Sequence, residues 1–155
     1  MKFELIHLAS AHEEWAEKAT EIYVSKIKHF IKFEVKNLGS VKSARHDSEY
    51  KIKAETEKIL KYLKNDDYVV LFDLRGESLS SLNFSKKVER ILNSGKKRAI
   101  FIIGGSFGVG PEIYQRATLI VNLSAMVLNH LIAQTMVLEQ IYRSFTINNK
   151  LPYHN

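Results

Sequence analysis

Two stretches in the last third of the chain carry residue types that chemistry needs. Ala99-Ile-Phe-Ile-Ile-Gly-Gly-Ser-Phe-Gly-Val-Gly110 is a β-type apolar run that breaks into glycines. Glycine lets a backbone come close to a ligand, because no Cβ intervenes and positive φ is allowed. A strand ending in such a turn is a candidate ligand cradle. The second stretch, Leu151-Pro-Tyr-His-Asn155, sets the hydroxyl of Tyr153 beside the imidazole of His154. Together they point to a small-molecule site and a nearby reactive edge.

Known nucleotide motifs do not account for the glycine turn. A P-loop needs Lys followed by Ser or Thr after its last glycine, and here Pro111-Glu112 follows Gly110. A dinucleotide fingerprint needs G-x-G-x-x-G at the first strand-to-helix turn, whereas Gly108-Val-Gly110 comes late and lacks the third glycine. What remains is a glycine-lined loop at the carboxyl end of a strand, where α/β sheets generally bind ligands. A tight turn with no ligand is the competing account, and the turn alone leaves both open. The six histidines, at positions 7, 12, 29, 46, 130 and 154, show no paired metal-ligand spacing. There is no cysteine, which rules out thiolate metal sites and disulfides, so no metal is expected.

The elements that must hold these residues follow from periodicity. Lys2 to Ala9 reads as a strand, and Ser10 with Glu13 has the spacing of a capping box opening a helix. Trp15, Ala19, Ile22, Tyr23, Ile27 and Phe30 recur at helical spacing and predict one buried stripe. Phe33 to Leu38 is a second strand, and Asp47 is placed to cap a helix with the stripe Ile52, Ile59, Leu60 and Leu63. Tyr68 to Leu74 is a nearly continuous apolar strand, as expected where helices cover both faces of a sheet. A loop at Arg75 to Ser78, a helix from Leu82 to Ser94 stopped by Gly95, and a strand from Arg98 to Ile103 come next. A short turn of helix at Pro111 to Arg116, a strand at Thr118 to Leu123 and a last helix from about Asn129 to Ile147 complete the reading.

Alternating strands and helices imply an α/β sandwich on a mainly parallel five-stranded sheet, in a single domain over residues 1–155. Leu131, Ile132, Ala133, Met136, Val137 and Leu138 leave the last helix almost no polar face over its first turns. A helix apolar all round is buried on both sides, and a chain this small suggests a second copy as the cover, hence a homodimer. Leu119 to Leu138 is about long enough to span a bilayer at ~20 residues. Asn122, Asn129, His130 and Gln134 interrupt it, so no membrane is expected. The start, Met1 to Ala9, has too short an apolar stretch for a signal peptide, which points to the cytoplasm.

Net charge is +6, and twenty of the 23 Lys and Arg lie before residue 99 against fifteen of the seventeen acids. That excess suits phosphate backbones, and it equally suits a solvated lysine-rich surface. Charge alone decides neither.

Five motifs in order add a resemblance. Phe101-Ile-Ile-Gly-Gly-Ser-Phe-Gly108, Leu123-Ser-Ala-Met126, His130, Leu138-Glu-Gln-Ile-Tyr-Arg143 and Pro152-Tyr-His154 resemble the RlmH family of SPOUT-class RNA methyltransferases, over essentially the whole chain. The resemblance implies a homodimer with a C-terminal trefoil knot that methylates N3 of a pseudouridine in 23S ribosomal RNA of the assembled ribosome. The implied donor is S-adenosylmethionine, held by Phe72, Gly104, Gly105 and the run Leu123, Ser124, Ala125, Met126, Val127 and Leu128. Nothing in periodicity implies a knot, which is rare among chain topologies.

The pseudouridine N3 carries a proton that must leave before nitrogen attacks, and the resemblance makes His154 the candidate for taking it, with Tyr153 positioning the base or the tail. His130 is either a direct participant or a core histidine at the start of the last helix. Arg143 either pairs with Glu139 at i, i+4 or contacts phosphate or the donor's carboxylate. Two departures stand out. The family commonly has proline before the histidine and arginine four residues after it, where this chain has Asn129 and Gln134. Losing that arginine removes a fixed donor and a charge that could hold RNA or a partner subunit.

Overall fold

The computed structural model describes residues 1–42 and 47–153. The element order is β1 (Lys2–His7), α1 (Glu14–Lys28), β2 (Lys32–Asn37), α2 (Ser48–Tyr62) and β3 (Tyr68–Ser78), followed by α3 (Ser81–Leu92), β4 (Arg98–Ile103), α4 (Pro111–Arg116), β5 (Leu119–Asn122) and α5 (His130–Asn148). All five strands join one parallel sheet in the order β2-β1-β4-β3-β5.

Strand alternation assigns the faces. Phe3, Leu5, Val70, Phe72, Ala99 and Phe101 point to one side, where Ile27 of α1, Val88 of α3 and Val137, Ile141 and Phe145 of α5 close over them. Ile6, Val69, Leu71, Ile100 and Ile102 point to the other, under Ile59 of α2 and Ile113 of α4. Helices on both faces explain why the strands read as continuous apolar runs.

Asp47 caps α2 as expected, accepting from Tyr50 N at 3.1 Å, and Ser80 caps α3 by accepting from Asn83 N at 3.2 Å. The capping box at Ser10 and Glu13 does not form: α1 begins at Glu14, and its N-cap Glu13 makes no side-chain cap bond. The connection is tied to the sheet instead: Ala9 O accepts from Asn37 Nδ2 at the end of β2 (3.0 Å). The predicted stripe of α1 also splits. Ala16 and Ile27 are buried while Trp15 and Ile22 stay 48% and 54% exposed. One residue of offset rotates a side chain by about 100° around the helix.

The loop expected at Arg75 to Ser78 is strand. β3 runs on to Ser78 through an irregularity that pairs both Phe72 and Glu77 with Val121 of β5. Gly76 makes this possible: a Cβ there would stand 2.5 Å from Val121 N and 2.6 Å from the Ile120 carbonyl carbon. Backbone cannot give way as a side-chain tip can, so Gly76→Ala should destabilise the fold by about 3 kcal/mol, read as a lower midpoint in urea.

Below the sheet, at the amino ends of the strands, Arg98 grips Asp67 with two bonds of 2.7 and 2.6 Å. Burial alone would raise the Asp67 carboxyl, but Arg98 and the Lys64 N–H outweigh it and hold the group below its ordinary 3.8. A carboxyl lowered on folding stabilises fully above that ordinary value and loses its contribution as pH falls through the folded-state one. Arg98→Ala should therefore cost roughly 3 kcal/mol at neutral pH, and the difference from wild type should shrink in urea titrations below about pH 4.

No helix among the described residues is long and apolar enough to cross a membrane. Within one chain α5 packs against α1 and α3. Its Leu131, Val137, Leu138, Ile141 and Phe145 are buried there without any second copy. Ile132 remains exposed, as do Trp15 and Ile22.

Candidate active site

Three chain segments meet where the apolar run of β3 ends and β4 and β5 finish, around a cleft of about 360 Å³. They are Leu71–Leu74, the turn after β4 from Ile103 to Val109, and the loop from Asn122 to Leu128; His130 and Ala133 of α5 close one wall. Parallel strands end their backbones here with helices lying outside, so a crevice opens where the connections part.

The glycine turn has the shape its composition predicted. Gly108 N donates to Gly105 O at 3.0 Å, and Gly108 adopts φ +84°, a left-handed conformation that glycine takes without strain. A Cβ on Gly104 would stand 2.8 Å from Val109 Cγ1, and one on Gly105 would overlap Glu55 Oε2. The loop after β5 is held by its own side chains: Asn122 Oδ1 accepts from Ser124 N (3.0 Å), and Ser124 Oγ accepts from Met126 N (3.0 Å). Met126 and Val127 line the cleft yet stay largely exposed, the latter at 86%.

Of the residues assigned to a donor from sequence, Phe72, Gly104, Gly105, Leu123, Ser124, Met126, Val127 and Leu128 line this cleft, and Ala125 does not. His130 lines it too, at the first turn of α5, where the capping Asn129 Oδ1 accepts from Leu131 N at 2.9 Å. Its Nε2 is shielded from solvent and has no hydrogen-bond partner among the described residues. Burial pulls the His130 imidazole below its ordinary value, and the charge of Glu55 opposes that only in part. Its ring lies 5.5 Å from that of His7, which burial and then His130 push down to about 4. Both rings are neutral at pH 7 and offer one donor and one acceptor each.

The other sequence-predicted residues gather elsewhere. Arg143 donates to Glu139 Oε1 through Nε at 2.8 Å, as the i, i+4 spacing allows, and Tyr153 donates to the same oxygen at 3.3 Å. The Arg143 guanidinium lies 4.8 Å from the Tyr153 ring centre, whose edge meets Tyr142 at 4.8 Å. Lys26 of α1 sits over the rings of Tyr23, Tyr142 and Tyr153. Burial, then Tyr23, pushes the Tyr153 phenol up to about 12, so it stays protonated. His154 lies outside the described residues. Arg143 lies thirteen positions after His130 along α5, roughly 20 Å at the helical rise. In one chain, then, the cleft and the Tyr153–Arg143 cluster stand apart.

Asp73 was not foreseen. It lines the cleft at the end of β3's apolar run, accepting from Tyr114 Oη (2.6 Å), Arg75 N (2.9 Å) and Arg75 Nε (3.2 Å). A carboxylate closing a buried strand was the available signal. Burial, with the Asp73 hydrogen bond adding, lifts the Tyr114 phenol to about 12. Its place beside residue 73 had no sequence signal, since α4 approaches β3 only in the folded chain. Among the described residues no three His, Asp or Glu side chains group as metal ligands would.

A family model described as predicted SPOUT methyltransferase matches residues 1–154. The chain is 59% identical to the ribosomal RNA large subunit methyltransferase H of Bdellovibrio bacteriovorus, over all of this chain and 99% of that protein. It is 36% identical to the protein of the same name from Christiangramia forsetii, with the same coverage. A solved SpoU methyltransferase, AviRb from Streptomyces viridochromogenes in complex with AdoMet, aligns over 92% of this chain and 57% of that one, at 13% identity and a TM-score of 0.45.

Proposed function

The chain belongs to the SPOUT methyltransferases, within the RlmH family, and from that premise we propose that it transfers a methyl group from S-adenosylmethionine to N3 of a pseudouridine in the 23S RNA of assembled ribosomes, in the cytoplasm. The observation that carries this reading is the convergence of Phe72, Gly104, Gly105 and the Leu123–Leu128 loop on one cleft.

The cleft suits that donor. At Gly104 and Gly105 the cleft wall is bare backbone, whose groups can meet the polar edge of an adenine. Leu123 and Leu128 supply apolar wall. The amino end of α5 turns its positive dipole toward the cleft, which favours a carboxylate there, and His130 Nε2, without a partner among the described residues, adds a donor in its N–H tautomer. When bound, S-adenosylmethionine supplies an electrophilic methyl on a sulfonium. The chain's task is to hold the acceptor nitrogen in line with it and to remove the N3 proton. His154 takes that proton in this reading, and Tyr153, fixed by Glu139, Tyr142 and Lys26, positions it.

Because the Tyr153–Arg143 cluster lies far along α5 from His130, the tail of a second copy completes each cleft. Exposed Trp15, Ile22 and Ile132 offer apolar area for such a homodimer. The knot belongs to the same reading and rests on membership of the family.

The test incubates the protein and labelled S-adenosylmethionine with ribosomes from cells that lack the modification, then identifies the labelled nucleoside by mass spectrometry. N3-methylpseudouridine in the large-subunit RNA is expected. Label on transfer RNA instead would keep the chemistry and move the target, and donor binding with no label anywhere would reduce the protein to a ribosome-binding factor.

A further inference from the structure

Glu55 is a carboxylate that no step above uses, and it is 1% exposed. It lies on α2 beneath the glycine turn. Its Oε1 accepts from Ser40 Oγ at 2.8 Å and from Val41 N at 2.9 Å, with Lys51 Nζ at 3.9 Å. Its Oε2 presses so closely on Gly105 that a Cβ there would overlap it. A buried carboxylate is costly unless donors hold it, and donors that hold it also fix where it points. One side chain thus bonds to the segment after β2 and packs against the middle of the turn. Its neighbours on α2 act on the rest: Thr56 Oγ1 accepts from Gly110 N at 2.8 Å, and Lys51 Nζ donates to Ser106 Oγ at 3.3 Å.

We propose that Glu55 is a positioning residue for the methyl donor, holding Gly105 in its binding conformation through its bonds to Ser40 and Val41. A turn that is already in place costs nothing to order when the ligand arrives, whereas a loose turn binds only in the fraction of time that it is correct. The proposal rests on the reading of the cleft as the S-adenosylmethionine site.

Calorimetric titration of S-adenosylmethionine into wild type comes first, followed by the same titration, thermal unfolding and steady-state kinetics on the variants. Glu55→Ala should weaken donor binding tenfold or more and raise its KM to match, with kcat at saturating donor within threefold of wild type. Glu55→Gln drops the charge but keeps an oxygen for Ser40 and Val41, and should stay within threefold in affinity. Gly105→Ala should also lose tenfold or more. Because the obstruction is the Glu55 carboxylate, Glu55→Ala with Gly105→Ala should bind no worse than Glu55→Ala alone. A wild type that binds no donor sinks the cofactor reading and this proposal with it. A wild type that binds, with a folded Glu55→Ala within twofold or a double variant showing the full sum of losses, sinks this proposal only. Should Glu55→Ala not fold, Ser40→Ala decides: a loss of twofold or more supports the clamp, and unchanged affinity overturns it.

Discussion

His154→Ala is expected to bind S-adenosylmethionine as tightly as wild type and to methylate ribosomes about 10²- to 10⁴-fold more slowly, the range for losing a general base. The imide nitrogen of pseudouridine is mostly protonated at neutral pH, and its lone pair is needed for in-line attack on the methyl. Neither demand involves holding the donor, which is why kcat falls and donor affinity does not. A general base also leaves a signature in pH: the wild-type rate should rise with pH through the imidazole range and then level, and the variant's rate should lack that step. Normal turnover by the variant would falsify the assignment, and a parallel loss of donor affinity would recast His154 as a cofactor contact.

Gly104→Val should weaken donor binding about 100-fold, equivalent to ~2.7 kcal/mol. The backbone at Gly104 does not need positive φ, so the obstruction is one of space: the new Cβ meets Cγ1 of the cleft-lining Val109 at 2.8 Å, and moving either side chain reshapes the wall that the donor touches. Overpacking of this kind costs the fold itself about 1–3 kcal/mol, so circular dichroism should still report a folded protein. This variant also tests which chain supplies the tail. Mixed with His154→Ala and allowed to exchange subunits, it should restore about a quarter of wild-type activity, because half of randomly formed dimers are mixed and each carries one intact site. Such rescue requires an intact cleft from one protomer and an intact tail from the other. If each tail served its own cleft, the mixture would stay as inactive as its parts.

Much of the architecture was readable in the sequence because its causes are local. Arg98–Ile103 and Pro111–Arg116 match their expected bounds, since an apolar run between charged residues and glycines marks the strand and Pro111 pre-sets the first helical φ. Asp47 was recognisable as a cap because its oxygen serves an N–H only three residues on. The misreadings have non-local causes. Ser10 could have capped a helix, but Asn37, at the end of β2, bonds the carbonyl of Ala9 and α1 starts only at Glu14. Arg75 to Ser78 has a turn's composition, and it is strand because β5 lies alongside it. Trp15 and Ile22 keep a helical period that the sheet does not meet, because the neighbouring strip of α1 faces the core.

The sequence by itself determined the number of layers, the alternation of parallel strands with helices, and a glycine turn ending β4, because burial period and turn chemistry act within a few residues. That Phe72, Gly104 and Leu123 belong to one site was available only through likeness to a family, since no local pattern records it. The tertiary structure alone decided that Asp73 joins them with Tyr114, that Glu55 supports Gly105 from 50 residues away, and that Tyr153 and Arg143 stand apart from His130. The physical reason is the strand order β2-β1-β4-β3-β5. It places the ends of β4 and β5 on either side of Phe72 in β3, and that order is settled by which apolar faces pack together across the whole chain, a choice no single segment contains.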